Sequence, residues 1–446
     1  MTQALLGIDI GTSGCKALLI GTDGAVIAAS TATYPLSQPR PGWSEQDPAL
    51  WIEGAREAVA GVLAKSGSLE ILCIGLSGQM HGLTPLDAGH RVLRPAILWN
   101  DQRNGAECEA ITEAAGGLEA LLTVTDNRML VGYTGGKILW MRNHEPELFA
   151  RMALVLNPKD YLRLVLTGES ATEVSDASGT GFFDVRRRGW ATGLIEAAGI
   201  DPAILPPAFE SQEVTGRVSP EAAARFGLPA GIPVAGGGGD SVIQTIGSGV
   251  IAPGELQTTI GTAGILAAAL DGPAENPDGR LQVFCNVAAD KWHCMGVSLN
   301  AGGAMGWFRD TAARGIDFDA LTAEAAASPP GARGLLFLPY LNGERCPHPD
   351  PVARGAFVGL TARHGRGDMA RSVMEGVVHA FADMHALMRP MGIAGRIVKA
   401  SGGGARSTLW RQMQADSFGC DVVTTEGAAE GGAFGAALVA GLAAGV

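Results

Sequence analysis

Two stretches of the chain share one pattern: Leu6–Ile20 reads LGIDIGTSGCKALLI, and Leu256–Leu270 reads LQTTIGTAGILAAAL. Each contains an apolar run, an IGTxG segment and a second apolar run. This order is typical of two strands joined by a tight glycine turn. The second copy begins 250 residues after the first (256 minus 6). A repeat at this distance predicts two related halves, each of which opens on the same hairpin.

The rest of the chain alternates short apolar runs with longer helical patterns. The spacing of apolar residues over Pro48–Ala64 predicts a helix, with Asp47 as its N-cap. The apolar run Ile71–Ser77 predicts a buried strand. This alternation predicts an α/β fold with mostly buried sheets.

The segment GIPVAGGGGD (231–240) separates the two halves. Four consecutive glycines indicate a junction with unusual backbone freedom. We therefore place the boundary near Gly236, which gives domains 1–236 and 237–446.

Composition excludes several classes of protein. The 446 residues are 46% hydrophobic, which rules out wholesale disorder, and the net charge of −12 argues against a nucleic-acid coat or an anionic-membrane binder. The seven cysteines form no CxxC pair, which favours the reducing cytoplasm over a disulfide scaffold or zinc site. The uncharged stretch from Gly431 to Val446 is short and rich in Gly and Ala, so we predict a close-packed helix rather than a membrane span.

The two glycine turns are candidates for phosphate binding, because their backbone N–H groups and hydroxyls converge on one point. Asp9 precedes the first turn and could hold Mg²⁺ through water, while Lys16 follows it and could add positive charge. One such turn would equally suit a plain hairpin with a surface Asp. The second copy, at Gly261 and Thr262, favours phosphate.

Nucleotide binding by a P-loop is excluded, because GxxxxGK[ST] does not occur in the sequence. A third glycine cluster, Ser401–Arg406 (SGGGAR), joins a predicted strand to a predicted helix. It could bring the backbone close to a ligand, or it could simply form a turn. Asp240 follows the four glycines, which would leave it open to a substrate hydroxyl as a general base. It could also cap the helix that follows.

Two further segments carry polar groups at the ends of apolar strands: SGQMHG (77–82) and WNDQR (99–103). Polar and aromatic side chains at this edge of an α/β sheet suit a sugar, which offers hydroxyls and an apolar C–H face. His81 alone could be a buried structural histidine, and Asp101 and Arg103 could simply pair with each other.

These segments occur together, in this order, in one family. The chain resembles the FGGY carbohydrate kinases, and among them the members that phosphorylate xylulose. The matching segments are GIDIGTSG (7–14), SGQMHG (77–82), PAILWNDQR (95–103), PKDYLRLVLTGE (158–169), SDASGT (175–180), GGGGD (236–240), IGTAG (260–264), FLPYLNGER (337–345), GAFVGLTARHGRGDMARSVMEG (355–376) and SGGGARSTLWRQMQAD (401–416). The similarity covers nearly the whole chain.

The resemblance implies two actin-like ATPase domains, of the ribonuclease H-like fold, with a catalytic cleft between them. It implies ATP and Mg²⁺ as cofactors, Asp240 as the catalytic base and Asp9 as the carboxylate associated with the metal. The implied sugar-binding residues are Met80, His81, Trp99, Asn100, Asp240 and Ser241. The nucleotide-binding residues are Gly11, Thr12, Ser13, Lys16, Gly261, Thr262, Gly403, Gly404 and Ser407.

The implied reaction is in-line transfer of a phosphoryl group from ATP to the terminal hydroxyl of a ketopentose, with D-xylulose as the first candidate. Another ketose or a sugar alcohol stays open, as does a non-catalytic sugar sensor or a chaperone-like ATPase on the same scaffold. Ser241 stands where the family usually has Asn, and Gly136 where it usually has Pro. The expected partners are the sugar and ATP, without nucleic acid or membrane, and family members favour a homodimer.

Overall fold

The computed structural model describes residues 2–425, 427 and 430–446, and the chain divides into two compact units. The first comprises Met1–Gly247, Val283–Trp292 and Glu430–Val446, and the second comprises Ser248–Gln282 and His293–Ala429. The predicted boundary near Gly236 falls eleven residues before the break after Gly247 (247 minus 236).

Residues 2–247 contain fifteen strands and ten α-helices, besides one 3₁₀ turn at Pro202–Ile204. The strands are β1 (Thr2–Ile10), β2 (Gly14–Gly21), β3 (Val26–Thr33), β4 (Glu45–Gln46), β5 (Leu69–Gly78), β6 (Thr84–Leu86), β7 (Ala96–Ile97), β8 (Leu154–Leu156), β9 (Thr172–Glu173), β10 (Phe183–Asp184), β11 (Gly189–Trp190), β12 (Ala208–Phe209), β13 (Val214–Arg217), β14 (Pro233–Ala235) and β15 (Gly238–Gly239). The helices are α1 (Pro48–Ser66), α2 (Gly105–Ala114), α3 (Leu118–Thr125), α4 (Thr134–His144), α5 (Pro146–Phe149), α6 (Pro158–Thr167), α7 (Val174–Ser178), α8 (Thr192–Ala197), α9 (Pro220–Phe226) and α10 (Asp240–Gly247).

The later part of the chain follows the same strand and helix alternation. Its strands are β16 (Glu255–Ile260), β17 (Gly264–Leu270), β18 (Gln282–Cys285), β19 (Trp292–Ser298), β20 (Leu336–Leu338), β21 (Ala356–Val358), β22 (Ile397–Ser401) and β23 (Asp421–Val423). Its helices are α11 (Gly302–Ala312), α12 (Phe318–Ala327), α13 (Arg366–Met388), α14 (Thr408–Phe418) and α15 (Gly432–Ala444). The α/β prediction is confirmed.

The two main sheets repeat one arrangement, which confirms the prediction of two related halves. In the first, with strand order β13-β14-β5-β1-β2-β3, strands β1 and β2 form an antiparallel hairpin and β5 runs parallel to β1. In the second, with order β18-β19-β17-β16-β22-β23, strands β16 and β17 form the hairpin and β22 runs parallel to β16. Each IGTxG segment is the turn of its hairpin.

The core of the first sheet is covered on one side by helix α1, whose predicted start is confirmed: the Asp47 side chain accepts a hydrogen bond from the Ala49 amide. Trp51 on this helix is fully buried in the same apolar cluster as Leu6 and Ile74. Burial of aromatic and aliphatic side chains at about 25 cal/mol per Å² holds the helix on the sheet.

Helix α15 packs on strands β1 and β5 of the first unit, which confirms the prediction of a close-packed helix. The strands carry glycine at the contact: a Cβ on Gly7 would clash with the Ala433 carbonyl, and one on Gly75 with the Ala436 carbonyl. The small residues of the helix thus bring its backbone directly against the sheet. No helix of residues 2–425, 427 and 430–446 combines the length and apolar character that crossing a bilayer requires.

The four glycines at 236–239 are buried and closely packed, so the predicted backbone freedom is wrong. A Cβ on Gly237, which has a φ of +76°, would clash with the Leu76 carbonyl, and a Cβ on Gly239 would lie 2.5 Å from Cγ of Met80. Glycine is needed here because the strand end presses against its neighbours. The packing of the four glycines therefore fixes the position of Asp240 at the start of α10.

Candidate active site

The two hairpins carry equivalent side-chain pairs next to their turns. On the first, Asp9 is paired in register with Ser77 on β5, whose hydroxyl donates to Asp9 Oδ1 at 2.7 Å. On the second, Thr259 is paired with Ser401 on β22, and their hydroxyl oxygens lie 2.7 Å apart. The pattern is the same, but only the first hairpin places a carboxylate beside its turn.

The first glycine turn has its carbonyl groups directed into the protein. The Gly11 carbonyl accepts from the Tyr34 hydroxyl at 2.7 Å, the Thr12 carbonyl from Gln46 Nε2 at 2.7 Å, and the Ser13 carbonyl from the Tyr34 amide at 3.2 Å. The C=O and the following N–H of a trans peptide point in opposite directions. The three N–H groups that follow these carbonyls therefore point away from the protein, as a nest for an anion requires.

The side chain of Thr12 connects this turn to the predicted sugar residue Trp99. Its hydroxyl accepts from Trp99 Nε1 at 3.0 Å and donates to Gln79 Oε1 at 3.2 Å. The indole is 39% exposed, so its face is available to a ligand while its N–H is held. The hydroxyl of Thr12 is engaged within the protein, which leaves the backbone of the turn as the phosphate-facing part.

Asp9 lies at the junction of β1, β5 and the start of α15. A Cβ on Gly432 would lie 2.9 Å from Asp9 Cγ, so glycine lets the helix begin against the carboxylate. Burial raises the pKa of Asp9 above its ordinary value, while the Ser77 hydroxyl and Lys16 act in the opposite direction. Lys16 itself forms an ion pair with Glu430 at 2.6 Å.

The described residues contain no group of three or more His, Cys, Asp or Glu side chains that could hold a metal ion alone. Asp9 offers one carboxylate next to the first turn. This fits Mg²⁺, which usually takes one or two protein carboxylates and completes its shell with water and phosphate oxygens. The residues present therefore suit a metal that arrives with a nucleotide.

Asp240 begins helix α10 directly after the buried glycine run. Its Oδ1 accepts the Ser241 amide at 2.7 Å, and its carboxyl also receives the Met80 amide. Burial, and then the charge of Asp9, raise the pKa of Asp240 to about 7, and the two amides lower it only in part. A carboxyl with this pKa is suited to accept a proton near neutral pH.

Met80 and Ser241 lie beside this carboxyl. The Ser241 hydroxyl donates to Met80 Sδ at 3.0 Å, and the Met80 side chain lies against the backbone of Gly239. Asp240, Ser241 and Met80 were all predicted as site residues, and the structure brings them together in the first unit.

His81 adopts a φ of +69°, which is uncommon for a residue with a side chain. Its Nδ1 lies 2.6 Å from the Gly179 carbonyl, and its ring packs at 4.8 Å from that of Tyr133. The fully buried Lys137 donates to the His81 carbonyl at 2.7 Å and to the Gly132 carbonyl at 2.5 Å. Burial lowers the pKa of Lys137 to about 7, and a neutral amine has two N–H donors for these two carbonyls.

The WNDQR segment divides into exposed and structural residues. Arg103 donates to both carboxylate oxygens of Asp101, at 2.8 and 2.7 Å, so these two residues pair with each other. The Asn100 side-chain oxygen is buried, with no hydrogen-bond partner among the residues that the structure describes. Trp99 and Asn100 lie at the end of the strand, as predicted.

The second glycine turn is held in the same way as the first. The Gly261 carbonyl accepts from the Gly302 amide at 2.7 Å, and the Thr262 carbonyl accepts from the Ala301 and Gly303 amides at 2.9 and 3.1 Å. The amides that follow these carbonyls thus point away from helix α11.

A cavity of about 760 Å³ opens beside this second turn, entirely within the second unit. Its size is within the range of small-molecule pockets, roughly 300–1,000 Å³. Five predicted nucleotide residues line it: Gly261, Thr262, Gly403, Gly404 and Ser407. A Cβ on Gly403 would meet no protein atom within 4 Å, so packing does not require glycine there and a side chain would take up ligand space. Phe318 and Asp319 of helix α12 also line the cavity.

Several of these residues carried no usable signal in the sequence. Phe318 and Asp319 lie on a short, alanine-rich helix. Lys137 lies in a segment noted only for its departure from the family pattern. The segment that begins at Ser175 was matched to the family, but without a role for the serine, because its contact with Gly239 crosses 64 residues of sequence.

Comparison with known proteins gives one consistent result. The model of the FGGY family of carbohydrate kinases matches residues 4–247 with its N-terminal domain and residues 256–444 with its C-terminal domain. The xylulose kinase of Escherichia coli (strain K12) is 41% identical over 93% of this chain and 84% of its own length. That of Bacillus subtilis (strain 168) is 39% identical over 95% of this chain and 85% of its own.

A solved structure agrees with the sequences. The crystal structure of xylulose kinase from Rhodospirillum rubrum superposes with a TM-score of 0.92 at 33% identity, covering 98% of this chain and 89% of that one. The two units have the actin-like ATPase fold of these neighbours, as the sequence predicts. The chain belongs to the FGGY family of carbohydrate kinases.

Proposed function

We propose that this kinase transfers the γ-phosphoryl group of ATP to the terminal hydroxyl of D-xylulose, with Asp240 as general base. The observation that carries the proposal is the position of Asp240. It follows a buried strand end and lies beside Asp9 and Met80, and its pKa is raised to about 7. The names of the similar proteins favour D-xylulose as the sugar.

In the proposed mechanism, Asp240 accepts the proton of the sugar hydroxyl as the oxygen attacks phosphorus. Met80, Ser241, His81 and Trp99 orient the sugar, and Asn100 is a further polar residue of the site, next to Trp99. The buried position of Asp240 favours proton uptake at the moment of attack, because it already disfavours the charged form. Positioning and charge stabilisation supply most of the catalysis in phosphoryl transfer.

Each repeat carries residues that suit part of a nucleotide. In the second unit, the cavity lined by Gly261, Gly403 and Ser407 suits a nucleoside. In the first unit, the outward amides of Thr12, Ser13 and Gly14 suit phosphate. Asp9 would hold the metal through one carboxylate, with Lys16 adding positive charge when it leaves Glu430. Bound Mg²⁺ neutralises charge that develops on the phosphate oxygens.

The test is ADP release, measured by a coupled assay with D-xylulose, D-ribulose, xylitol, glycerol and D-gluconate. We expect kcat/KM to be highest for D-xylulose. Asp240→Ala should lower turnover by about 10²–10⁴-fold, the usual contribution of a general base, with ATP affinity little changed. If D-ribulose or xylitol is an equal or better substrate, the xylulose assignment is wrong and the sugar kinase assignment stands.

A further inference from the structure

The backbone that carries Asp240 is tied to a buried serine of another element. The amide of Gly239, the residue before Asp240, donates to the Ser175 hydroxyl at 3.0 Å. Ser175 is fully buried in helix α7. The direction of the Asp240 side chain follows from the backbone dihedrals on either side of this amide, so a shift here moves the carboxyl.

The hydroxyl of Ser175 has one available orientation, because it also donates to Glu173 Oε1 at 2.8 Å. Glu173 is fully buried and accepts the Ser175 amide at 2.7 Å and the Ser211 hydroxyl at 2.8 Å. Lys159 Nζ lies 3.4 Å from the same carboxylate. With its proton committed to Glu173, Ser175 presents a lone pair to the Gly239 amide.

The same buried cluster holds the other end of the glycine run. Arg163, fully buried and within 3.4 Å of Asp160, donates to the carbonyls of Ala235 and Gly236. The glycine run is therefore hydrogen-bonded at its first and last residues to side chains of one charged cluster. Hydrogen bonds to buried side chains at both ends of the run favour one geometry of its backbone over the alternatives.

We infer that Ser175 is a positioning residue for Asp240, acting through the Gly239 amide and held in place by Glu173. The inference rests on the proposed function, in which Asp240 is the base. Nothing in the arrangement requires Ser175 to touch the sugar or ATP. Its loss should act on the chemical step, because a misplaced base accepts the proton less well, while ground-state binding of ATP stays as it was.

The chain contains a matched control in the same helix. Ser178 is also buried, donates to the Val174 carbonyl at 2.6 Å and accepts a backbone amide, that of Cys285, at 3.1 Å. Ser175→Ala and Ser178→Ala thus each remove one buried hydroxyl and leave one backbone N–H without its acceptor. They differ in two respects. Ser175→Ala also removes a donor to the buried Glu173 carboxylate, and it frees the amide of Gly239, which adjoins Asp240.

The experiment compares the two variants in the full chain, with the best sugar of the wild-type protein. We expect a loss of thermal stability in both variants, a kcat about 10-fold or more lower in Ser175→Ala alone, and KM for ATP within about twofold of wild type in both. Equal kcat values in the two variants would overturn the inference. If Ser175→Ala does not fold, Ser175→Cys fills the site with a slightly larger side chain that is a weaker acceptor, and an unchanged kcat in that variant would equally overturn the inference.

Failure of the proposed function is seen separately, in the wild-type protein. If it turns over no sugar, or if Asp240→Ala keeps normal turnover, the proposed base is wrong before any serine variant is compared. A normal wild type with equal serine variants contradicts only the role of Ser175.

Discussion

Replacing Asp240 by Asn should lower turnover by about 10²–10⁴-fold and, at alkaline pH, make the protein more stable. The pKa of Asp240 is raised from 3.8 to about 7 by burial and by Asp9. The folded protein therefore holds this proton more tightly than the unfolded chain. The protonated Asp240 carboxyl therefore adds to the free energy of unfolding below pH 4, and this contribution is lost as the pH rises through 7.

The size of the effect follows from the shift. About three pKa units correspond to about 4 kcal/mol at 1.36 kcal/mol per unit. Asp240 is mostly buried but keeps some exposure to solvent, which weakens the effect. We therefore expect a gain of about 1–3 kcal/mol for Asp240→Asn at pH 8, and none at pH 4. The Asn side chain has the same shape but carries no charge to bury.

The pH dependence of wild-type activity should report the titration of the same Asp240 carboxyl. With a pKa of about 7, the ionised fraction of Asp240 is about 9% at pH 6 and about 91% at pH 8, so kcat/KM should rise about tenfold between them. The measurement uses both substrates well below their KM values, so that the profile reports the free protein. An unshifted Asp would give no change over this range.

Asp87→Asn is the control for the stability measurement. Asp87 lies outside the site, and hydrogen bonds from the amide and guanidinium of Arg91 lower its pKa. Its replacement should therefore reduce stability at pH 8, opposite in sign to Asp240→Asn, and leave activity unchanged. A flat activity profile from pH 6 to 8, together with no gain in melting temperature for Asp240→Asn at pH 8, would refute the reasoning.

Three further predictions concern the two ligand sites. Gly403→Val should weaken ATP binding in a calorimetric titration, because the side chain enters the cavity, whereas Gly272→Val, which adds a side chain to open space elsewhere, should not. Ser241→Asn should lower KM for D-xylulose by about 2- to 10-fold with kcat little changed, as one added hydrogen bond would; loss of activity would contradict the proposed contact. Lys137→Met should raise KM for the sugar, because the His81 carbonyl loses its donor, and an unchanged KM would show that His81 holds its conformation without it.

The sequence by itself determined the repeated hairpins, the α/β alternation and the family. These features are local, because a strand–glycine–strand pattern and a capped helix depend on residues close together in the chain. The duplicated IGTxG segments were enough to predict two related halves. The ordered segments pointed to a sugar kinase, which the family match confirms.

Only the tertiary structure decided which residues meet. The sequence suggested backbone freedom at the four glycines. In the fold, Gly237 packs against Leu76, and Gly239 packs against Met80 and donates a hydrogen bond to Ser175. Nothing in the sequence indicated that helix α15 packs on the first sheet. The contact of Gly7 with Ala433 joins residues far apart in the chain, so it is visible only in the folded structure. The raised pKa of Asp240 likewise depends on burial and on the charge of Asp9, which is far from it in sequence but near it in the fold. Contacts between residues far apart in sequence depend on the packing of the whole chain, and local pattern does not encode them.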